Sequence, residues 1–145
     1  MDALALLEAE KACRDLILAA ADAVDQQAYE TLVQLFTPDA VLVRPGGAEL
    51  RGRAEILTSY ASKDPNRLTH HLVCNHQVRV TPSGVAESRC KVLLYVSDLR
   101  QEVTSQGRLI DRKHQVGTIV DALVLTDAGW RIHRRNAWFD LFSSE

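Results

Sequence analysis

Residues 67–80 read "RLTHHLVCNHQVRV". The stretch holds neither Gly nor Pro, carries three Val and two Leu, and is bounded by Pro65 before it and Pro82-Ser83-Gly84 after it. That pattern predicts one long strand running into a hairpin turn. Val85–Ser97 reads as the second strand of the hairpin. His114–Leu125 is a third, and Asp127-Ala128-Gly129 turns the chain into a fourth over Trp130–Leu141. Strands of this length exceed the usual ~5–6 residues, so the sheet they form must bend strongly and can cup a cavity. "DLRQEVTSQGRLIDRK" separates the middle strands; it is charged, lacks a period, and is expected to be mobile.

Upstream of the strands the period changes. Leu6, Cys13, Ile17, Ala20 and Val24 recur at helical spacings, predicting a helix over residues 3–24. "QQAYETLVQLF" fits a second, shorter helix, with Pro38 just beyond it as a stop. "AVLVRP" reads as a strand closed by Pro45-Gly46-Gly47, and "RAEILTSYAS" as a third helix. Helices followed by a meander of long strands give an α+β class: N-terminal helices packed on a strongly bent antiparallel sheet. At 145 residues the chain suits one domain, 1–145.

Composition narrows the function. With 46% hydrophobic and 25% charged residues the chain is ordinary for a globular protein. A net charge of −2, with Lys and Arg scattered among acids, gives no basic footprint for nucleic acid. No apolar run approaches the ~18–20 residues of a membrane span, and the N-terminus does not read as a signal peptide. The three cysteines, Cys13, Cys74 and Cys90, are widely spaced and odd in number; they fit reduced, largely buried thiols in a cytoplasm.

The opening stretch carries three of the chain's five histidines. Alternation along a strand puts Thr69, His71, Val73 and Asn75 on one face, and His70, Leu72, Cys74, His76, Val78 and Val80 on the other. His70 and His76 stand ~20 Å apart on an extended strand, so they cannot share a metal ion. With no HExxH or paired CxxC elsewhere, no metal site is expected. His71 is left as an acid/base candidate, while His70 and His76 read as structural. Asp25 falls at the edge of the first helix's apolar stripe, where an acid needs a partner if buried. It also reads as a helix-ending residue or a cap for the second helix.

"ADAVDQQAYETLVQLFTPDAVLV", "ELRGRAEI", "LTHHLVCNHQVRV" and "GTIVDALVLTDAGWRIHRR", in this order, resemble the SnoaL-like branch of the nuclear transport factor 2-like, or cystatin-like, superfamily. The resemblance implies a cone-shaped domain, usually dimeric, whose curved sheet and helices enclose a pocket. It is similar in this to scytalone dehydratase and hexachlorocyclohexane dehydrochlorinase. It also implies a catalytic Asp–His pair, here Asp25 and His71, with Thr69 and Val73 pointing into the same pocket. His114 stands roughly where scytalone dehydratase has a second histidine. Tyr60, Tyr95, Asn75, Asn136 and Trp138 are candidate pocket liners by topology, and Arg135 is the arginine best placed for an inward ion pair.

The chain departs from these relatives at Val24, where scytalone dehydratase has a tyrosine, and at Leu125-Thr126, near the dehydrochlorinase's arginine. The expected function is a cofactor-independent lyase or isomerase acting on a small, largely apolar cyclic or polyketide-like molecule, as a cytoplasmic homodimer. The ending "GWRIHRRNAWFDLF" also resembles the small β subunit of ring-hydroxylating dioxygenases. That keeps open a non-catalytic module binding a ligand or a larger oxygenase subunit.

Overall fold

In a computed structural model, residues 1–144 are described. Helix α1, Ala3–Asp25, starts where the Asp2 carboxylate accepts the Ala5 N–H at 2.8 Å. Its inner stripe is Cys13, Leu16, Ile17, Ala20 and Ala23, positions i, i+3, i+4, i+7 and i+10 of one helical face. Helix α2, Tyr29–Gln34, is shorter than its sequence pattern suggests, because the chain is already extended at Phe36. Strand β1 spans Phe36–Val43 and β2 spans Glu49–Arg51; helix α3 is Gly52–Ala61. The long strands follow: β3 Arg67–Val80, β4 Val85–Asp98, β5 Gln115–Thr126 and β6 Gly129–Phe142.

The six strands form one sheet in the order β2-β1-β6-β5-β4-β3. The four long strands are antiparallel neighbours, with tight turns joining β3 to β4 and β5 to β6, but β1 joins β6 in parallel, so the sheet is mixed. No hairpin connects these two strands. β1 reaches the edge of β6 across most of the chain, and so its direction is not constrained by a turn. Pro38, expected as a helix stop, lies inside β1. The register with β6 shifts between Phe36 and Val41, which leaves room for a residue lacking an N–H.

Strand β3 does not keep one alternation throughout. Its register with β4 shifts between Cys74 and Gln77, and Asn75 adopts φ +49 in the left-handed region. Thr69, His71 and Val73 face inward as expected. Beyond this bulge the inward positions become His76, Val78 and Val80, while Asn75 is exposed. The expectation that His76, Val78 and Val80 share a face with Leu72 is therefore corrected by the bulge. His76 turns in to hydrogen-bond the fully buried Ser88 hydroxyl, Nε2 to Oγ 2.7 Å. Burial, with the Arg14 charge nearby, holds the His76 imidazole below the usual histidine range.

α1 packs along β3, and the core lies between the helices and the inner sheet face, around Ile17, Leu32, Phe36, Ile56, Leu123 and Ile132. Burial pushes the Cys13 and Cys90 thiols up to about 11, which makes them inert packing residues. Opposite each other on β5 and β6, Asp121 and Arg135 form a buried two-point ion pair, 2.7 and 3.0 Å. Among the described residues no helix is long and apolar enough to cross a membrane.

Candidate active site

Asp25 is the last residue of α1, and the way the helix ends fixes where it points. Gln27 adopts φ +55. Its N–H bonds the Val24 carbonyl at 3.1 Å, and the Ala28 N–H bonds the Ala23 carbonyl at 2.8 Å. That is a Schellman ending with glutamine where glycine is usual. The Gln27 amide donates to the carbonyls of Pro65 (2.9 Å) and Arg67 (3.1 Å), tying the helix terminus to the start of β3. A carboxylate at this end opposes the helix dipole. Strand β3 compensates with three donors.

Those donors come from two residues. The Thr69 hydroxyl donates to Asp25 Oδ1 at 2.9 Å and the His71 backbone N–H to Oδ2 at 2.9 Å. His71 Nδ1 lies 2.6 Å from Oδ1. Burial alone would raise the Asp25 pKa, but the hydrogen bonds and charge of His71, with the Thr69 hydroxyl, outweigh it and hold the carboxyl below its ordinary 3.8. The carboxylate is then ionised at neutral pH and accepts only, so Nδ1 carries the proton and Nε2 is the free, basic nitrogen. Among the described residues Nε2 has no hydrogen-bond partner.

His71 lines a cavity of about 480 Å³ bordered by α1, α3, the end of β1 and strands β3–β6. Its walls are mixed: Ile17, Val24, Leu42, Val73, Val92, Leu94 and Phe139 are apolar, and Tyr60 adds a phenol that burial pushes up and keeps protonated. Of the residues singled out from sequence, His71, Val73, Tyr60 and Trp138 border this cavity. Thr69 does not; it is buried behind the histidine and spends its hydroxyl on Asp25. Asn75, Tyr95, His114 and Asn136 also lie outside the lining. Asn75 is turned outward by the bulge. Tyr95 pairs with His70 across the sheet on its outer face, where the His114 ring packs on it at 5.2 Å. Asn136 sits between the inward Arg135 and Ala137 and so faces away.

Sequence reading missed the cavity's cations. Arg44 follows β1, Lys63 follows α3, and Arg67 opens β3; all three border the cavity. No motif marks them, because they come from the ends of three elements that meet only in the fold. Burial and the guanidiniums of Arg67 and Arg44 hold the Lys63 ammonium below the usual lysine range. Among the described residues no three His, Cys, Asp or Glu side chains converge in a way that could hold a metal ion.

Comparison with known proteins places this geometry in context. Residues 5–136 match the family model for the SnoaL-like domain. A type 2 hexachlorocyclohexane dehydrochlorinase aligns with TM-score 0.80 at 16% identity, over 98% of this chain and 92% of that one. An NTF2-like protein with a cystatin-like fold from Novosphingobium aromaticivorans gives 0.75 at 24%, over 94% and 84%. ActVI-ORFA from Streptomyces coelicolor gives 0.72 at 13%, over 90% and 96%. At such identities the structures establish a shared fold. A comparison with curated proteins gives no match.

Proposed function

This chain belongs to the SnoaL-like domain family, and from that premise we propose that it is a cofactor-independent lyase or isomerase. Its substrate is a small cyclic or polyketide-like molecule, its base is His71, and Asp25 orients that base and stabilises the imidazolium it becomes. The observation that carries this reading is the three-point grip of β3 on the Asp25 carboxylate, which leaves His71 Nε2 free on a ring that borders the cavity.

The chemistry follows from that grip. Nε2 takes a proton from a carbon next to a carbonyl or a leaving group, and the imidazolium that forms is stabilised by the adjacent carboxylate. The proton then returns to another carbon, giving isomerisation, or leaves with the departing group, giving elimination. Neither route needs a redox or metal centre. Tyr60, kept protonated by burial and bordering the same cavity, is the residue we assign to assist the leaving group. The active form we propose is a cytoplasmic homodimer.

The test is exchange of the protons next to the ketone in 2-tetralone and in a carboxylated 2-tetralone, in heavy water, followed by NMR. Wild type is expected to accelerate exchange, and His71→Gln to lose about 10²-fold or more of that acceleration. Asp25→Asn should lose a smaller share. If wild type does nothing, or His71→Gln exchanges as fast as wild type, the acid/base reading fails. The rival, a structural subunit similar to the small β subunit of dioxygenases, then takes its place.

A further inference from the structure

The cavity's four cations are not equivalent. Arg135 is neutralised by Asp121 through two hydrogen bonds. Arg44, Lys63 and Arg67 make no ion pair among the described residues. The Arg44 guanidinium donates to the Ser59 hydroxyl at 2.9 Å, and the Lys63 ammonium rests 4.7 Å from the centre of the Tyr60 ring. Asp64, the acid at the same rim, is already engaged by the Asn66 N–H at 2.9 Å and by Arg100 at 3.4 Å. Three half-buried cations therefore crowd one end of the cavity, none of them in an ion pair.

Like charges brought together and partly desolvated raise the energy of the empty protein. An anion bound among them relieves that energy, and it does so in a setting where charge-assisted hydrogen bonds are strong. The depressed Lys63 pKa reports the same crowding. Arg67 and His71 lie four residues apart on the inward side of one strand, ~13 Å between their Cα atoms. A ring system one or two rings wide spans from a group held by Arg67 to a carbon beneath His71.

We propose that the Arg44–Lys63–Arg67 end of the cavity binds a carboxylate, so that the substrate is a small cyclic carboxylic acid anchored there with its acidic C–H at His71. This deepens the acid/base reading and rests on it for the word substrate; the anion site itself does not. Two guanidiniums offer planar two-point recognition, which a carboxylate matches with both oxygens. Anchoring the acid away from the base also keeps the carboxylate from quenching the imidazolium.

Binding of 1-naphthoate, 1-naphthamide and 1-naphthyl phosphate to the intact protein, by calorimetry, tests this. The expected result is that naphthoate binds at least about tenfold tighter than the amide. That preference should disappear in Lys63→Gln/Arg67→Gln and shrink in Arg44→Gln. Relief of crowding means that the variants should melt no lower than wild type, and the single Arg44→Gln change keeps the test alive if the double variant is poorly folded. Equal binding of acid and amide overturns the proposal, as does a preference that survives all three substitutions. A preference for the phosphate ester over naphthoate overturns the carboxylate assignment. In His71→Gln the naphthoate preference should persist. It then stands even if proton exchange by the wild type fails, so the two readings fall separately.

Discussion

Asp25 shows how a single side chain can be unfavourable in its helix and favourable in its fold. It opposes the α1 dipole, yet takes three hydrogen bonds from β3. Its folded pKa lies below the unfolded value of 3.8, so the unfolded chain takes up the proton first as the solution is acidified. The stabilisation is thus complete above 3.8 and is lost as pH falls through the folded value. Asp25→Asn is expected to cost about 1–3 kcal/mol in denaturant titrations near pH 7. The gap from wild type should close progressively once the pH drops below 3.8. A gap that stays constant into acid would show that the charge contributes nothing. At this scale the sequence was informative about Asp25 and His71, since an acid on an apolar edge and an inward histidine are both unusual placements. It misled on Thr69, whose inward direction is visible but whose consumption by Asp25 is not. Gln27 and the three rim cations left no signal, because their partners lie at the ends of other elements.

Within the elements, β3 carries the lesson. Its limits, Arg67–Val80, follow from composition and from the flanking prolines. The inversion at Asn75 does not, because alternation assumes that no residue is spare, and only asparagine's tolerance of the left-handed region hints otherwise. The first half of the strand thereby gives its inner face to the site, and the second half gives its inner face to the core. Asn75→Val forces a β-branched residue to φ +49 and should destabilise the fold by about 1–2 kcal/mol in thermal or urea unfolding, whereas Asn75→Gly should come close to wild type. If valine is tolerated as well as glycine, the bulge is not holding the strand's change of face. The short β2 and the parallel placement of β1 were likewise unreadable, since neither follows from a local turn.

Across the whole molecule, the outer face of the sheet carries a row of apolar residues in direct register: Leu72 on β3, Leu93 on β4, Val116 on β5 and Leu141 on β6. Leu72 and Leu141 are 47% and 65% exposed, so the row wants a cover. The homodimer we propose would supply one. Leu72→Asp should convert a dimer to monomers in sedimentation velocity without changing the fold by circular dichroism, and an unchanged dimer would clear this face of that role. The class of fold was legible from the order of the segments; the make-up of the outer sheet face was only partly so, because the bulge removes Val78 and Val80 from the face on which alternation places them. The mixed sheet bears also on how the chain comes to be folded. β1 has no long strand to pair with until β6 arrives, roughly ninety residues later, which at synthesis rates of ~5–20 residues per second means on the order of 5–20 s. Through that interval on the ribosome, the nascent helices and β1 present Leu32, Phe36 and Leu42 to whatever is nearby. Among the described strands β6 pairs with both β1 and β5, so joining β1 to the sheet is a non-local step that waits on distant residues.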